Sequence, residues 1–146
     1  MIIFGVDFGD VRTGFAVCDK SELLASPAGV LTERRFDVAT EKTAEAARAA
    51  HAEMIVVGHP VNMDGSRGPR AEHCAAFAEL VREKSGLPTV LWDERCTTVS
   101  AHQYLNATNT RGKKRKAVVD TVAATIILES YLAYRKNQSA PAEPER

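Results

Sequence analysis

The chain has 146 residues, of which 45% are hydrophobic and 26% are charged, and its formal net charge at pH 7 is zero. This length suits one domain with a real core and is too short for two substantial lobes. Because the chain has no net charge, it has no general attraction to nucleic acid or to a membrane surface, and such a partner would need a local patch of charge.

The cysteines and the apolar segments indicate where the protein works. Cys18, Cys74 and Cys96 are widely spaced and form no CxxC motif, which argues against a disulfide framework and a thiolate zinc site and is typical of a reducing cytosol. No apolar run reaches the roughly 18 residues of a membrane span, and the N-terminus lacks the layout of a signal peptide. We therefore expect a cytoplasmic protein with no membrane partner.

The first 32 residues are predicted to form three strands. Residues 2–8 and 12–19 are two apolar runs that a tight turn at Gly9-Asp10 joins, and a third strand lies in residues 26–32. Strands joined by such short connections pair antiparallel. The sequence therefore predicts an antiparallel meander at the start of the domain.

Helices and strands alternate after the meander. Asp37 is placed to cap an alanine-rich helix that ends near Ala50, and the apolar run MIVVG, residues 54–58, is typical of a buried parallel strand. A second helix is predicted from the apolar spacing i, i+3, i+4, i+7, and Gly86 ends it. The residues at that spacing are Cys74, Phe77, Ala78 and Val81.

The last third of the chain adds one strand and two helices. TVLW, residues 89–92, is a buried strand, and Thr97 or Thr98 can cap a short helix that ends near Leu105. A basic loop, residues 111–116, leads to a last helix over residues 118–134. The tail, residues 137–146, is polar and contains proline, so we expect it to be disordered.

This order of elements predicts one α/β domain over residues 1–136. Its core is a five-stranded mixed sheet, in which the first three strands form an antiparallel meander and the later strands are parallel. Helices flank the sheet on its faces.

Three carboxylates stand where local structure alone would not place them. Asp7 lies inside the first strand, Glu94 follows the TVLW strand, and Asp120 lies in the apolar segment VVDTVAATIIL. Each has a simpler interpretation. Asp7 could accept hydrogen bonds from the amides of the Gly9 turn, Glu94 could pair with Arg95, and Asp120 could cap its helix.

Taken together, the three carboxylates predict a metal site, because open α/β sheets place their sites at the carboxyl ends of parallel strands. Two carboxylates about 4 Å apart repel by about 4 kcal/mol at an effective dielectric constant near 20, so they need a shared proton or a cation. Mg²⁺ prefers such oxygen ligands, with Mn²⁺ as a substitute, and a site of this kind suits phosphoryl chemistry. We therefore predict that Asp7, Glu94 and Asp120 bind the metal and are catalytic.

A basic segment precedes Asp120. Five of the six residues from 111 to 116 carry positive charge: Arg111, Lys113, Lys114, Arg115 and Lys116. Such a run is commonly a solvated surface segment. In a chain with no net charge, however, a cationic patch next to an acidic cluster is also where a phosphate backbone would dock.

Four segments of the sequence resemble, in order and spacing, the four blocks of the YqgF family, also called RuvX. They are GVDFGDVRTGFAV, VVGHPVNMDGSRGPRA, WDERCTTVSA and VVDTVAATIILESYL, and the resemblance runs from about residue 2 to residue 134. The family consists of pre-16S rRNA nucleases related to Holliday junction resolvases, with an RNase H-like fold. The resemblance therefore implies a Mg²⁺-dependent phosphodiesterase that processes the 5′ end of pre-16S rRNA in ribosome biogenesis.

The family pattern falls on residues already singled out. Its first-strand aspartate is Asp7, the acidic residue of its DER block is Glu94, and the aspartate that opens its last helix is Asp120. The glycine loop, residues 62–66, also matches the family pattern and implies a substrate contact by Asn62. The same segment could instead be a plain turn before a helix capped by Ser66. Four further residues are predicted to anchor phosphates beside the cut: Arg12, Lys113, Lys114 and Arg115.

Four positions depart from the family pattern: Asp10, Val11, His59 and Cys96. Asp10 stands where many members have threonine, and it would act as an outer metal contact or lower the affinity for nearby phosphate. His59 stands where leucine is common. It could be a general base, but a lone histidine at a strand end is more often a structural residue with its hydrogen bonds satisfied.

Two other functions stay open from the sequence. A resolvase of four-way DNA junctions would keep the fold and the metal and would act as a symmetric dimer. A non-catalytic nucleic-acid-binding module would typically lack one of the acidic residues, and this chain has all three. The sequence leaves open RNA or DNA as substrate, endonuclease or exonuclease action, one metal ion or two, and a monomer or a homodimer.

Overall fold

The computed structural model describes residues 1–62, 64–94 and 112–138, and of residues 112–121 and 138 it describes the backbone alone. The described part contains five strands: β1 (Ile3–Asp7), β2 (Arg12–Cys18), β3 (Ala25–Thr32), β4 (Met54–His59) and β5 (Thr89–Asp93). It also contains three helices: α1 (Phe36–Ala49), α2 (Pro69–Ser85) and α3 (Gly112–Gln138). Among these helices, none combines the length and the apolarity needed to span a bilayer.

The five strands form one sheet in the order β3-β2-β1-β4-β5. β2 pairs antiparallel with both β1 and β3, whereas β4 pairs parallel with both β1 and β5. The predicted meander and the predicted parallel half are therefore both confirmed. The central position of β1 puts its carboxyl end between a hairpin partner and a parallel strand.

Each face of the sheet packs against helices, because successive side chains of a strand point to opposite faces. On one face Phe4 and Val57 pack with Phe77 and other apolar residues of α1 and α2. On the other face Ile3 and Val56 pack with apolar residues of α3. The predicted arrangement of helices on both faces is confirmed.

Helix α3 lies very close to β1. A Cβ atom on Gly5 would stand 2.9 Å from Leu128 Cβ and 3.2 Å from the carbonyl oxygen of Ala124. A side chain at this position would push the helix away. Gly5 therefore sets the distance between α3 and the sheet.

Helix α3 runs antiparallel to β4. The Tyr131 hydroxyl lies 3.9 Å from the Met54 sulfur at the start of β4, whereas Ile127 Cδ1 lies over Gly58 near the end of that strand. Positions earlier in α3 therefore lie toward the carboxyl ends of the parallel strands. This direction decides where Asp120 stands.

The predicted caps of α1 and α2 are wrong. Helix α1 follows Arg35 without a side-chain cap, so Asp37 lies in its first turn instead. There its carboxylate still suits the helix dipole. Helix α2 begins at Pro69 after Gly68, since the Ser66 hydroxyl is taken up by the loop and donates to the Asp64 carboxylate at 2.7 Å.

The last helix is longer than predicted. It begins at Gly112, so residues 112–116 of the predicted basic loop are helical and Asp120 is not the N-cap. Lysine, arginine and alanine all favour helix, and no proline follows Gly112 to interrupt it. Residues 137–138 of the predicted tail also belong to α3. The rest of that tail and the predicted short helix near 97–105 lie outside the described residues.

Candidate active site

Asp7 ends β1 at the carboxyl edge of the sheet. Its backbone pairs with Gly14 of β2, and Val6 before it pairs with Val57 of β4. Ile3 and Gly5 face α3, so the two-residue alternation of a strand puts Asp7 on that face as well. The strands on both sides hold the backbone that carries this carboxylate.

Glu94 directly follows β5, and its carboxylate lies over the backbone of Gly58 in the neighbouring strand. A Cβ atom on Gly58 would stand 2.5 Å from Glu94 Oε2 and 2.6 Å from Ile127 Cδ1. Glycine is therefore the residue that leaves room for the carboxylate here. Because Ile127 of α3 lies over the same glycine, the Glu94 carboxylate stands on the face that α3 covers.

The surroundings of Glu94 oppose its ionisation. Burial raises the pKa of Glu94 above its ordinary value, the Arg70 guanidinium opposes this rise, and the Asp93 carboxylate adds to it. A carboxylate in such a position is stabilised when a cation approaches it.

The thiol of Cys74 experiences the charges at this edge of the sheet. Burial raises the pKa of Cys74 to about 11, the Arg70 guanidinium counteracts burial, and the carboxylates of Glu94, Asp7 and Asp10 raise it further. Carboxylates from the ends of β1 and β5 therefore both act on the charge of this thiol.

Asp120 stands in α3 one helical turn before Ala124 and two turns before Ile127. Since Ala124 packs over Gly5 and Ile127 over Gly58, Asp120 occupies a position of the same helical phase, toward the carboxyl edge of the sheet. Its side chain lies outside the described part. Among the side chains that the structure describes, no three of His, Cys, Asp or Glu meet as a metal site, and the predicted set of three metal ligands stays a prediction.

Some of the residues that were predicted to contact phosphate lie near the same carboxyl edge of the sheet. Arg12 begins β2 directly after the turn that follows Asp7. Lys113, Lys114 and Arg115 lie at the start of α3, and their side chains are outside the described part.

Asn62 is engaged within its own loop. Its Nδ2 donates to the Ser66 hydroxyl at 2.9 Å, and its backbone N–H donates to the Ser66 carbonyl at 2.9 Å. The loop that follows β4 is therefore held by hydrogen bonds between its own residues. A substrate contact by Asn62 would have to share the amide with Ser66.

His59 has one ring nitrogen without a hydrogen bond: its Nε2 atom is buried with no partner in the described part of the chain, so the expectation of fully satisfied hydrogen bonds is wrong. A general-base role for His59 stays a hypothesis. Burial lowers the pKa of His59, and the charge of Arg67 lowers it further. Strand alternation from Val57 puts its side chain on the face of α2, opposite to Glu94.

Sequence analysis missed Arg70, which ties α2 to the turn after Asp7. Its Nη2 donates to the carbonyl oxygen of Phe8 and its Nη1 to Asp10 Oδ1 at 3.2 Å. Asp10 Oδ1 also lies 3.7 Å from His73 Nδ1. The available signal was a cation directly after the first helical proline, where the helix dipole disfavours positive charge.

Comparisons with known proteins find relatives that match most of the chain. The family model "RuvX: Holliday junction resolvase" matches residues 1–134. Two curated relatives are named "Putative pre-16S rRNA nuclease". The one from Desulfitobacterium hafniense (strain DSM 10664 / DCB-2) is 40% identical over 139 residues, 95% of this chain and 96% of the relative. The one from Halothermothrix orenii is 40% identical over 135 residues, 92% of this chain and 96% of the relative.

One solved structure shows the fold. It is described as Thermus thermophilus RuvC in complex with a Holliday junction substrate, and it superposes with a TM-score of 0.58 at 14% identity. The match covers 92% of this chain and 95% of that chain. The predicted RNase H-like fold is confirmed by this likeness.

Proposed function

The chain belongs to the RuvX family, and from that premise we propose that it is a divalent-metal-dependent nuclease that processes the 5′ end of pre-16S rRNA in the cytoplasm. One observation carries the proposal: the Glu94 carboxylate is fitted over Gly58 at the edge where Asp7 ends β1. Two carboxylates at one edge of the sheet are stabilised together by a shared proton or by a cation, and a divalent cation would serve both. The names of the 40%-identical relatives support RNA as the substrate.

The donors at this edge suit a hard divalent cation. Asp7 and Glu94 offer carboxylate oxygens, and Asp120 stands on α3 at the same edge; oxygen ligands of this kind suit Mg²⁺, or Mn²⁺ in its place. A bound Mg²⁺ would polarise the scissile phosphate and lower the pKa of the attacking water. We propose that these three residues hold the ion.

The protein itself contributes rigidity and charge. Asp7 is fixed because its strand lies between β2 and β4. The Arg70 guanidinium favours the ionised form of Glu94 against burial. Arg12 and the basic start of α3 would hold phosphates on either side of the cut, since guanidinium and ammonium groups neutralise backbone charge.

The test is a cleavage assay with Mg²⁺ or Mn²⁺ on three substrates: a pre-16S rRNA fragment, an unstructured RNA and a four-way DNA junction. Asp7→Asn keeps the shape of the side chain and removes its charge, so we expect the variant to fold and to lose cleavage. Asp37→Asn makes the same change at an exposed site on α1 and should cleave normally. Full activity in Asp7→Asn would show that the site is assigned wrongly.

A second candidate activity is resolution of four-way DNA junctions. The description of the matching family model favours it, whereas the likeness to RuvC at 14% identity shows the fold alone. The assay separates the two candidates by which substrate is cut. Binding of every substrate without cleavage would instead support the non-catalytic module.

A further inference from the structure

We propose that Arg70 and His73 form a phosphate-binding subsite beside the carboxylates, and that the Asp10 carboxylate occupies this subsite until the nucleic acid displaces it. The ligand is a phosphodiester group of the substrate strand next to the cut. This inference rests on the proposed nuclease function and adds to it a substrate-binding residue pair and a built-in competitor.

The guanidinium of Arg70 is held in place by groups that carry no charge. Its Nη2 donates to the carbonyl oxygen of Phe8, and its central carbon lies 5.7 Å from the centre of the Phe8 ring. Phe8 directly follows Asp7 in the chain, and the Arg70 charge also acts on Glu94, so the cation is held at the edge of the sheet that carries the proposed metal ligands. Because these contacts do not use Asp10, they would keep the guanidinium in position after Asp10 leaves.

The ring of His73 is held in a similar way. It stacks on Phe36 with ring centres 4.7 Å apart and meets the edge of Phe8 at 5.3 Å. Its Nδ1 lies 3.7 Å from Asp10 Oδ1, the same oxygen that Arg70 Nη1 contacts at 3.2 Å. Two nitrogens from adjacent turns of α2 thus face one anionic oxygen.

Asp10 is a partner that can be exchanged. Its side chain is 72% exposed and that of Arg70 is 44% exposed, and ion pairs this open to water contribute little to stability. Asp10 contacts Arg70 through Oδ1 alone, whereas a phosphate can offer the planar guanidinium two oxygens and a charge-assisted pair of hydrogen bonds. A bound strand would therefore displace the Asp10 carboxylate at small cost.

The competing explanation is that Asp10 only positions Arg70. The two explanations predict opposite effects of Asp10→Asn. If Asp10 is a competitor, its neutralisation frees the guanidinium and RNA binds more tightly. If Asp10 is a positioning partner, the same change loosens Arg70 and RNA binds more weakly, as it does when Arg70 itself is replaced.

The test is fluorescence anisotropy of a labelled pre-16S rRNA fragment, titrated with protein at several salt concentrations, with Ca²⁺ in place of Mg²⁺ so that binding is measured without cleavage. We expect Asp10→Asn to tighten binding by about three- to tenfold. Arg70→Gln should weaken it by about tenfold and lower the salt slope by about one. Arg70→Lys keeps the charge and should keep most of the slope while it loses affinity.

The matched control is Glu72→Gln. Glu72 is an exposed carboxylate on the same turn of α2, paired with Arg67 at 3.7 Å, so its neutralisation removes one negative charge without touching the subsite. Glu72→Gln should change the affinity less than about twofold, since the Glu72 carboxylate is exposed and pairs with Arg67 rather than with the subsite. Equal tightening in Asp10→Asn and Glu72→Gln would overturn the subsite, as would weaker binding in Asp10→Asn or an unchanged slope in Arg70→Gln.

These outcomes are separate from those of the proposed function. A wild-type chain that cleaves none of the three substrates would overturn the nuclease proposal. The opposed shifts of Asp10→Asn and Arg70→Gln are measured in binding alone. Normal cleavage together with an unchanged salt slope would overturn the subsite and leave the nuclease proposal standing.

Discussion

Replacing Gly58 with alanine tests how closely the Glu94 carboxylate is fitted to the sheet. The new Cβ atom would stand 2.5 Å from Glu94 Oε2, 3.0 Å from Glu94 Cδ and 2.6 Å from Ile127 Cδ1. Ordinary contacts between such atoms are about 3.5 Å or longer. The carboxylate must therefore retreat by about 1 Å, away from the place where it would meet a metal ion.

The expected losses of stability and of activity differ in size. Overpacking a filled site costs about 1–3 kcal/mol, and replacing glycine in a strand offsets about 0.5–1 kcal/mol of that cost. The net loss of about 0–2.5 kcal/mol leaves an ordinary domain folded. A 1 Å displacement of a reacting group can lower the rate by about 100-fold, so cleavage should fall far more than stability.

The measurements are urea unfolding and the cleavage rate of the pre-16S rRNA fragment with Mg²⁺. Gly68→Ala is the control, because its Cβ atom would have Asn62 Nδ2 as its nearest neighbour at 3.9 Å, an ordinary contact. The control loses up to about 1 kcal/mol as an N-cap change and should cleave within about twofold of wild type. Wild-type cleavage by a folded Gly58→Ala chain would refute the assignment of Glu94 to the reaction.

Three further predictions concern charge and burial. Because burial raises the folded-state pKa of Glu94 above its ordinary 4.5, its contribution to stability is present below pH 4.5 and is lost as the pH rises through the raised value. The metal-free Glu94→Gln variant should therefore have the same free energy of unfolding as wild type near pH 4 and a higher one at pH 7, as measured by urea unfolding. The reverse order would contradict this. Replacing Lys113, Lys114 and Arg115 with glutamine should weaken binding of every RNA and lower the salt slope by about two to three, and an unchanged slope would show a solvated segment. Cys74, with its pKa raised to about 11, should resist a thiol reagent at pH 8 in a chain whose other cysteines are serine, and rapid labelling before unfolding would contradict its burial.

The sheet could be predicted because its signals are local. Each strand is an apolar run that turn residues bound, and the short connections of the first three strands imply a meander. The helix starts could not be predicted, because side-chain contacts decide them, both local ones and ones distant in sequence. Phe36 starts α1 because its ring packs against Phe8 and His73, and Ser66 fails to cap α2 because Asp64 binds its hydroxyl.

The residues of the candidate site also divide into those that the sequence identifies and those that only the fold reveals. Asp7 and Glu94 were visible as carboxylates that interrupt or follow apolar strands. Gly58 could not be identified from the sequence, because its role is to leave space for the side chain of Glu94, which follows another strand. Nor could Arg70, because its partner Asp10 is 60 residues away in the sequence. Contacts between residues so far apart in the sequence depend on the fold, and the composition and spacing of the residues do not specify them.

The central claim is that Asp7, Glu94 and Asp120 share one divalent cation. Titration with Mn²⁺, followed by the electron paramagnetic resonance signal of the free ion, measures this directly. We expect Asp7→Asn, Glu94→Gln and Asp120→Asn each to weaken binding by at least about tenfold, while Asp37→Asn binds as wild type does. Wild-type Mn²⁺ affinity in any of the three carboxylate variants would contradict the shared site.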